Sequence, residues 1–198
     1  MANGRVCTGY SFPYVALYAN NEGTISYSAT QALARGVSIT TEVNFTDGDK
    51  FYADNVVAEE VPGTFSDGTA TLTVDGLFLA AESLIYSGTA TTSGDDWFDY
   101  DDGVTIPYVG IGYVARYMSA GTTSYVPYIL PKCRFQFMGQ SFNTQGETID
   151  WQTQELTADI YRDDSTDHVW KKTGKEYSAE ADAVAAITGF FAGTVVST

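Results

Sequence analysis

Histidine and cysteine, side chains often used for acid–base, nucleophilic and metal chemistry, are scarce in this 198-residue chain. Its single histidine, His168, sits in DHVWKK with no serine or cysteine motif around it, so it reads as a surface or packing residue. No G-x-S-x-G, P-loop or H-E-x-x-H pattern occurs. Gly110-Ile111-Gly112 opens like a dinucleotide fingerprint, but Ala115 stands where the third glycine belongs and continues a strand pattern. Cysteine is scarce too: Cys7 and Cys133 can pair, but a chain folded in a cytoplasm keeps its thiols reduced. Cys133 reads as a small core residue. The opening MANGRVCTGY has no apolar run behind a basic region, so no secretory signal is expected. No stretch approaches the roughly 20 apolar residues that span a bilayer. Cations number ten against 25 carboxylates, a formal net charge of −15. Binding nucleic acid through its phosphates needs clustered Lys and Arg, and that balance argues against it.

What is present is apolar and aromatic. Hydrophobic residues make up 44%, enough for a core, and 14 Tyr, 11 Phe and 3 Trp suit pleated surfaces. Only 18% of residues are charged, against about 25% in ordinary domains. The length fits one domain, read as an arm over 1–12 and a single domain over 13–198.

Residues 106–137 carry the clearest pattern, two long strands joined by a Gly/Ser/Thr turn. Val109, Ile111, Tyr113, Ala115 and Tyr117 alternate in the first. Tyr125, Ile129, Cys133, Phe135 and Phe137 alternate in the second, with Lys132, Arg134 and Gln136 facing the other way. Gly110 and Gly112 lie opposite the apolar face of the first strand. Glycine weakens a strand, so its repetition points to a close backbone or a packed partner. An edge strand is expected at 13–18, and an alternating strand at 37–45 with Val37, Ile39, Thr41, Val43 and Phe45 inward. Another is expected at 68–76, with Ala70, Leu72 and Val74 inward. Residues 77–88 switch to helical spacing on Leu77, Ala80, Ala81, Leu84 and Ile85, ended by Gly88. In 142–162 the apolar parity changes between Trp151 and Leu156, which predicts a bulge or bend. A turn at 163–167 precedes a short strand in HVWKK. Residues 178–191 read as a helix capped by Ser178, with Glu180 and Asp182 at its positive end. Mostly antiparallel strands with two flanking helices predict a mainly β sandwich or small barrel.

Two loops stand out. Residues 46–63, TDGDKFYADNVVAEEVPG, are flanked by turn residues yet too apolar at the centre for an idle solvated loop, which points to a contact surface. Asp49, Lys50, Phe51, Tyr52, Asp54, Asn55, Val56, Val57, Glu59 and Glu60 are the candidate contact residues. Glu59 and Glu60 are adjacent, so on a strand they point to opposite faces and make a poor acid–base pair. The second loop, 89–105, carries Asp95, Asp96, Asp99, Asp101 and Asp102. Calcium takes six to eight oxygens, but the spacing misses the D-x-D-x-D-G pattern and Trp97, Phe98 and Tyr100 interrupt it. A solvated acidic tip with aromatics packing back on the domain is the preferred reading.

Four ordered segments together resemble the major tail proteins of long-tailed bacteriophages of Gram-positive bacteria. They are FYADNVVAEE (51–60), TATLTVDGL (69–77), PYVGIGYV with YVPYILPKCRF (107–114 and 125–135), and TQGETIDWQTQELTADI (144–160). Gly110, Gly112, Lys132, Phe135, Thr144, Glu147 and Thr153 stand at family-typical strand positions. The resemblance implies a β-sandwich subunit that assembles with itself into hexameric rings. These stack into a hollow tail tube, a virion structure built in the host bacterial cytoplasm. It implies tail-tip and tail-terminator proteins as partners, DNA passing through the lumen without specific binding, and no enzyme activity, cofactor, metal or membrane. The loop 46–63 would reach the neighbouring ring and residues 1–12 would form a second arm. A ring would carry six times −15, a formal −90, which repels DNA wherever carboxylates line the lumen. A contractile-tail or secretion-tube relative fits the same residues. The stretch SGDDWFDYDDG departs from the family pattern. The alternative from another class is a carbohydrate-binding β-sandwich module that grips saccharide with the aromatics near 95–102.

Overall fold

A computed structural model describes residues 4–88, 97–193 and 195–196. The chain is mainly β, 51% strand and 12% helix, as the alternating patterns require. In order it forms β1 (Val6–Asn21), β2 (Thr24–Ala32), β3 (Gly36–Phe45), β4 (Asp49–Ala53), β5 (Val56–Val61), β6 (Phe65–Val74) and α1 (Leu79–Ser87). There follow β7 (Val109–Ser119), β8 (Thr122–Phe135), β9 (Gln154–Tyr161), β10 (Lys172–Thr173), α2 (Glu180–Ala192) and β11 (Val195–Val196). One antiparallel sheet runs β11-β2-β1-β7-β8-β9-β6-β3, with β10 added to β8; β4 and β5 pair only with each other. Among the described residues no helix is long and apolar enough to cross a membrane.

The sheet buries its two faces unequally. On one face Val15, Leu72, Ile111, Leu130, Leu156 and Phe135 pack with Leu84 and Ile85 of α1 into the larger core. On the other, Ala183, Ile187 and Phe191 of α2, spaced by four, cover Ala16, Val114 and Ile129. β7 is therefore buried on both sides from Val109 to Ala115, and Gly110 and Gly112 do not lie on a wet face. A Cβ on Gly112 would stand 2.4 Å from Ile187, and one on Gly110 would stand 2.6 Å from Phe191. The packed partner that the glycines pointed to is α2.

Other local expectations change with tertiary context. β1 is central, between β2 and β7, and residues 6–12 are strand rather than a free arm. Pro13 has no N–H to give the ladder, and the register jumps between Ser11 and Tyr14 with Phe12 at φ 52°. That irregularity hides the strand from a period-two reading. β2 was not expected; Ala29 at φ 50° breaks its alternation in the same way. In β8 a register shift opposite Val109–Ile111 swaps the parity, so Leu130, Cys133 and Phe135 share the larger core while Ile129 meets α2. Tyr125 and Ile129 therefore do not share a face with Cys133.

The parity change in 142–162 is not a bulge. β9 starts only at Gln154, and Ile149 and Trp151 are exposed outside any strand. Within HVWKK, His168 adopts φ 50° in a turn whose N–H bonds Ser165, so only the Lys172–Thr173 pair joins the sheet. α2 begins at Glu180 with Ala179 in the cap position and no side-chain cap; Ser178 does not cap it. Gly88 ends α1 in the left-handed region, its N–H bonding the Leu84 carbonyl. Cys7 is exposed and Cys133 buried, both free, and burial pushes the Cys133 thiol well up.

Candidate functional site

The loop 46–63 is a projecting two-stranded ribbon. β3 and β6 form the lower part of one long hairpin, and β4 and β5 continue it beyond the domain. Asp54 and Asn55, at φ 52° and 65°, make the two-residue tip, the left-handed pair that a tight hairpin with the native twist requires. A neck separates the two parts. The Thr46 N–H donates to the Thr64 carbonyl (2.8 Å), and the Thr64 N–H donates to Thr46 Oγ1 (2.9 Å). Gly63 belongs there because a Cβ would fall 1.8 Å from the Thr46 carbonyl. Below the neck, Phe65 stacks on Trp170 at 4.8 Å and Phe45 meets both rings edge-on, which anchors the root.

Every ribbon residue of β4 and β5 is exposed. Phe51 is 65%, Tyr52 61%, Val56 62%, Val57 46% and Val61 64% exposed. Register places Tyr52 beside Val57 on one face, while Phe51 faces Glu59 and Ala53 faces Val56 on the other. Besides the backbone ladder, Lys50 pairs with Glu60 at 3.3 Å, a surface pair of small worth. A hairpin this short has little stability on its own in water. Its large apolar side chains stay about half or more exposed, an apolar patch of the kind found at interaction surfaces.

A second exposed apolar segment lies at the other end of the sheet. Residues 136–153 join β8 to β9 without regular structure, and Phe142 (80%), Ile149 (59%) and Trp151 (86%) face solvent. Gln152 ties the segment across itself, accepting from the Asn143 N–H (2.9 Å) and donating to the Asn143 carbonyl (3.2 Å). A connection of this length without elements of its own is usually functional. β6 starts at Phe65 beside the neck and ends at Val74 opposite Gln154, where this segment ends. The two apolar surfaces are thus separated by the length of a ten-residue strand, about 30 Å.

The strand positions drawn from the resemblance scatter over the fold. Phe135 is core, Gly110 and Gly112 lie under α2, and Thr144, Glu147 and Thr153 sit in the exposed segment rather than on a strand. Lys132 is nearly enclosed. Its ammonium donates to both Asp164 oxygens at 2.8 and 2.9 Å and lies 4.7 Å from the Tyr108 ring centre and 5.2 Å from that of Tyr18. Partial burial pushes the Asp164 carboxyl up, but hydrogen bonds from Lys132 and Tyr18 outweigh it and hold it below its ordinary value.

In the acidic loop, Asp95 and Asp96 lie outside the described residues. Phe98 packs on the larger core, and Tyr100 donates to Glu82 of α1 at 2.7 Å, so both fold back on the domain. Trp97 does not, at 82% exposed. Among the described residues no three His, Cys, Asp or Glu side chains converge to hold a metal ion. Val61, Phe142 and Trp151 were not candidates from sequence. A signal existed, since apolar residues stand among Gly, Asn, Gln and Thr, but strand alternation explained them equally well. No protein-family model matches this chain, and no curated protein or solved structure shows a significant likeness to it.

Proposed function

We propose that this chain is a self-assembling structural subunit, the tail-tube protein of a long-tailed bacteriophage, whose six-membered rings stack into a hollow tube for genome delivery. The projecting ribbon carries this reading. Five large apolar side chains, held out on a neck, gain burial only against another molecule. The exposed segment 136–153 at the far end offers a second apolar surface, and two different surfaces at opposite ends favour heterologous, head-to-tail association.

Two further features support it. β3 ends the sheet with an unpaired edge ten residues long, suited to strand pairing between copies. On the side that α2 covers elsewhere, β3, β6 and β9 present Ser38, Thr40, Thr69, Thr71, Thr73 and Thr157, at least partly exposed. A polar wall without a cation cluster suits passage of DNA without capture.

Negative-stain electron microscopy of concentrated protein tests the reading; six-fold rings or open tubes are expected. The variant Tyr52→Asp with Val56→Asp should keep its circular-dichroism spectrum and melting temperature yet fail to stack. Tubes of normal length from that variant would refute the role given to the ribbon.

A further inference from the structure

The acidic aromatic stretch at 97–102 lies apart from the ribbon, with Tyr100 packed against Phe137. At the opposite end of the sheet, next to the neck, a cleft of about 420 Å³ lies between Phe65, Trp170, Arg162, His168 and Lys171. Its floor is the Phe65–Trp170 stack. Arg162 donates to the Phe65 carbonyl, and its guanidinium lies 6.0 Å from the Phe65 ring centre. Lys171 lies 5.1 Å from the Tyr128 ring centre. Among the described residues neither cation has a carboxylate within ion-pair distance, although carboxylates outnumber cations 25 to ten. Asp167 is the one acid lining the cleft. This is a cationic, aromatic recess in a strongly acidic molecule.

We infer that this recess receives residues 97–102 of a second copy of the chain, a contact that rests on the head-to-tail reading above. Charge complementarity selects the occupant. Asp99, Asp101 and Asp102 are exposed, Trp97 precedes them, and Tyr100 lies between Asp99 and Asp101, pinned to α1 through Glu82. Tyr100 packs edge-on against Phe137, where the segment 136–153 begins, at the end of the sheet where β6 finishes and away from the neck. The ribbon is acidic as well, but it rises from the same end as the recess, so in a head-to-tail junction the recess meets the other end of its neighbour. Trp97 then lies against the aromatic floor while the carboxylates meet Arg162 and Lys171. Complementary charge of this kind sets register and partner choice.

The test reverses one side at a time. A recess variant carries Arg162→Glu and Lys171→Glu, and a segment variant carries Asp99→Lys and Asp102→Lys. Each alone should raise the critical concentration for assembly by about tenfold or more, measured by light scattering and microscopy. A 1:1 mixture should assemble at close to the wild-type concentration, because every junction then pairs opposite charges. Lys171→Glu alone, which leaves the Arg162 bond to Phe65 in place, should show a smaller shift and guards against a folding defect. Wild-type-like assembly of both reversed variants overturns the inference and leaves the head-to-tail reading standing. So does loss of assembly that mixing does not rescue in two variants that melt like wild type. A wild-type protein that never self-associates overturns both.

Discussion

The lower and upper parts of one hairpin, β3–β6 and β4–β5, make the instructive comparison. Both are antiparallel ribbons with apolar residues in plenty. In the lower part Ala70, Leu72 and Val74 are fully buried against the larger core. In the upper part Phe51, Tyr52, Val56 and Val57 touch no core at all. What differs is the presence of a second layer, which ends at the Phe45–Phe65–Trp170 cluster just below the neck. An apolar strand stabilises the fold only where something lies over it; beyond that point the same residue types form a surface.

Substitutions on the two sides of the neck should therefore separate stability from assembly. The largest effect on folding is expected from Leu72→Ala, at about 3 kcal/mol by chemical denaturation, since it leaves a cavity in a close-packed core. Gly112→Val should follow at about 2 kcal/mol, because its Cβ meets Ile187 of α2 and the helix must shift. If α2 were loosely docked the cost would vanish, and the melting temperature would report it.

The Lys132–Asp164 pair sits between these extremes. With Asp164 held below its ordinary 3.8, its contribution is present above that value and is lost as the pH falls through the lowered folded value. Replacing Lys132 with Met should cost about 2 kcal/mol at neutral pH and flatten the stability profile below about pH 4. The more exposed Arg35–Asp75 pair is the control; Arg35→Ala should change neutral-pH stability by less than about 1 kcal/mol. The smallest folding effect belongs to the ribbon. Phe51→Ser should change stability by under about 0.5 kcal/mol while weakening self-association. A larger loss would mean that the ribbon packs on its own domain and is not reserved for a partner.

Much of the fold was legible where one face is dry and the other wet. β6 reads directly from Ala70, Leu72 and Val74, and α1 from Ala81, Leu84, Ile85 and Gly88. β3 was legible in outline, but of the residues expected to face inward only Ile39 and Thr41 are half-buried, because an edge strand reaches the core mainly at its middle. β1 was misread as an edge because Pro13 and its bulge break the period. The both-sided burial of β7 was signalled only by Gly110 and Gly112, and the parity swap in β8 was invisible, since these depend on where α2 lands and where the register slips. The exposure of the ribbon's apolar residues was legible from their mismatch with the turn residues around them, though their pairing as strands was not.

The amino-acid order by itself determined the class of the fold, the near-absence of histidine and cysteine and the acidic charge, because composition and period-two alternation act through local geometry and need no partner. The tertiary structure alone decided which apolar residues are core and which are surface. It also set the ribbon and the segment 136–153 at opposite ends, and brought Arg162 and Lys171 to one recess with Trp170. Those relations join residues distant along the chain, and distance in sequence carries no record of which layer covers which strand.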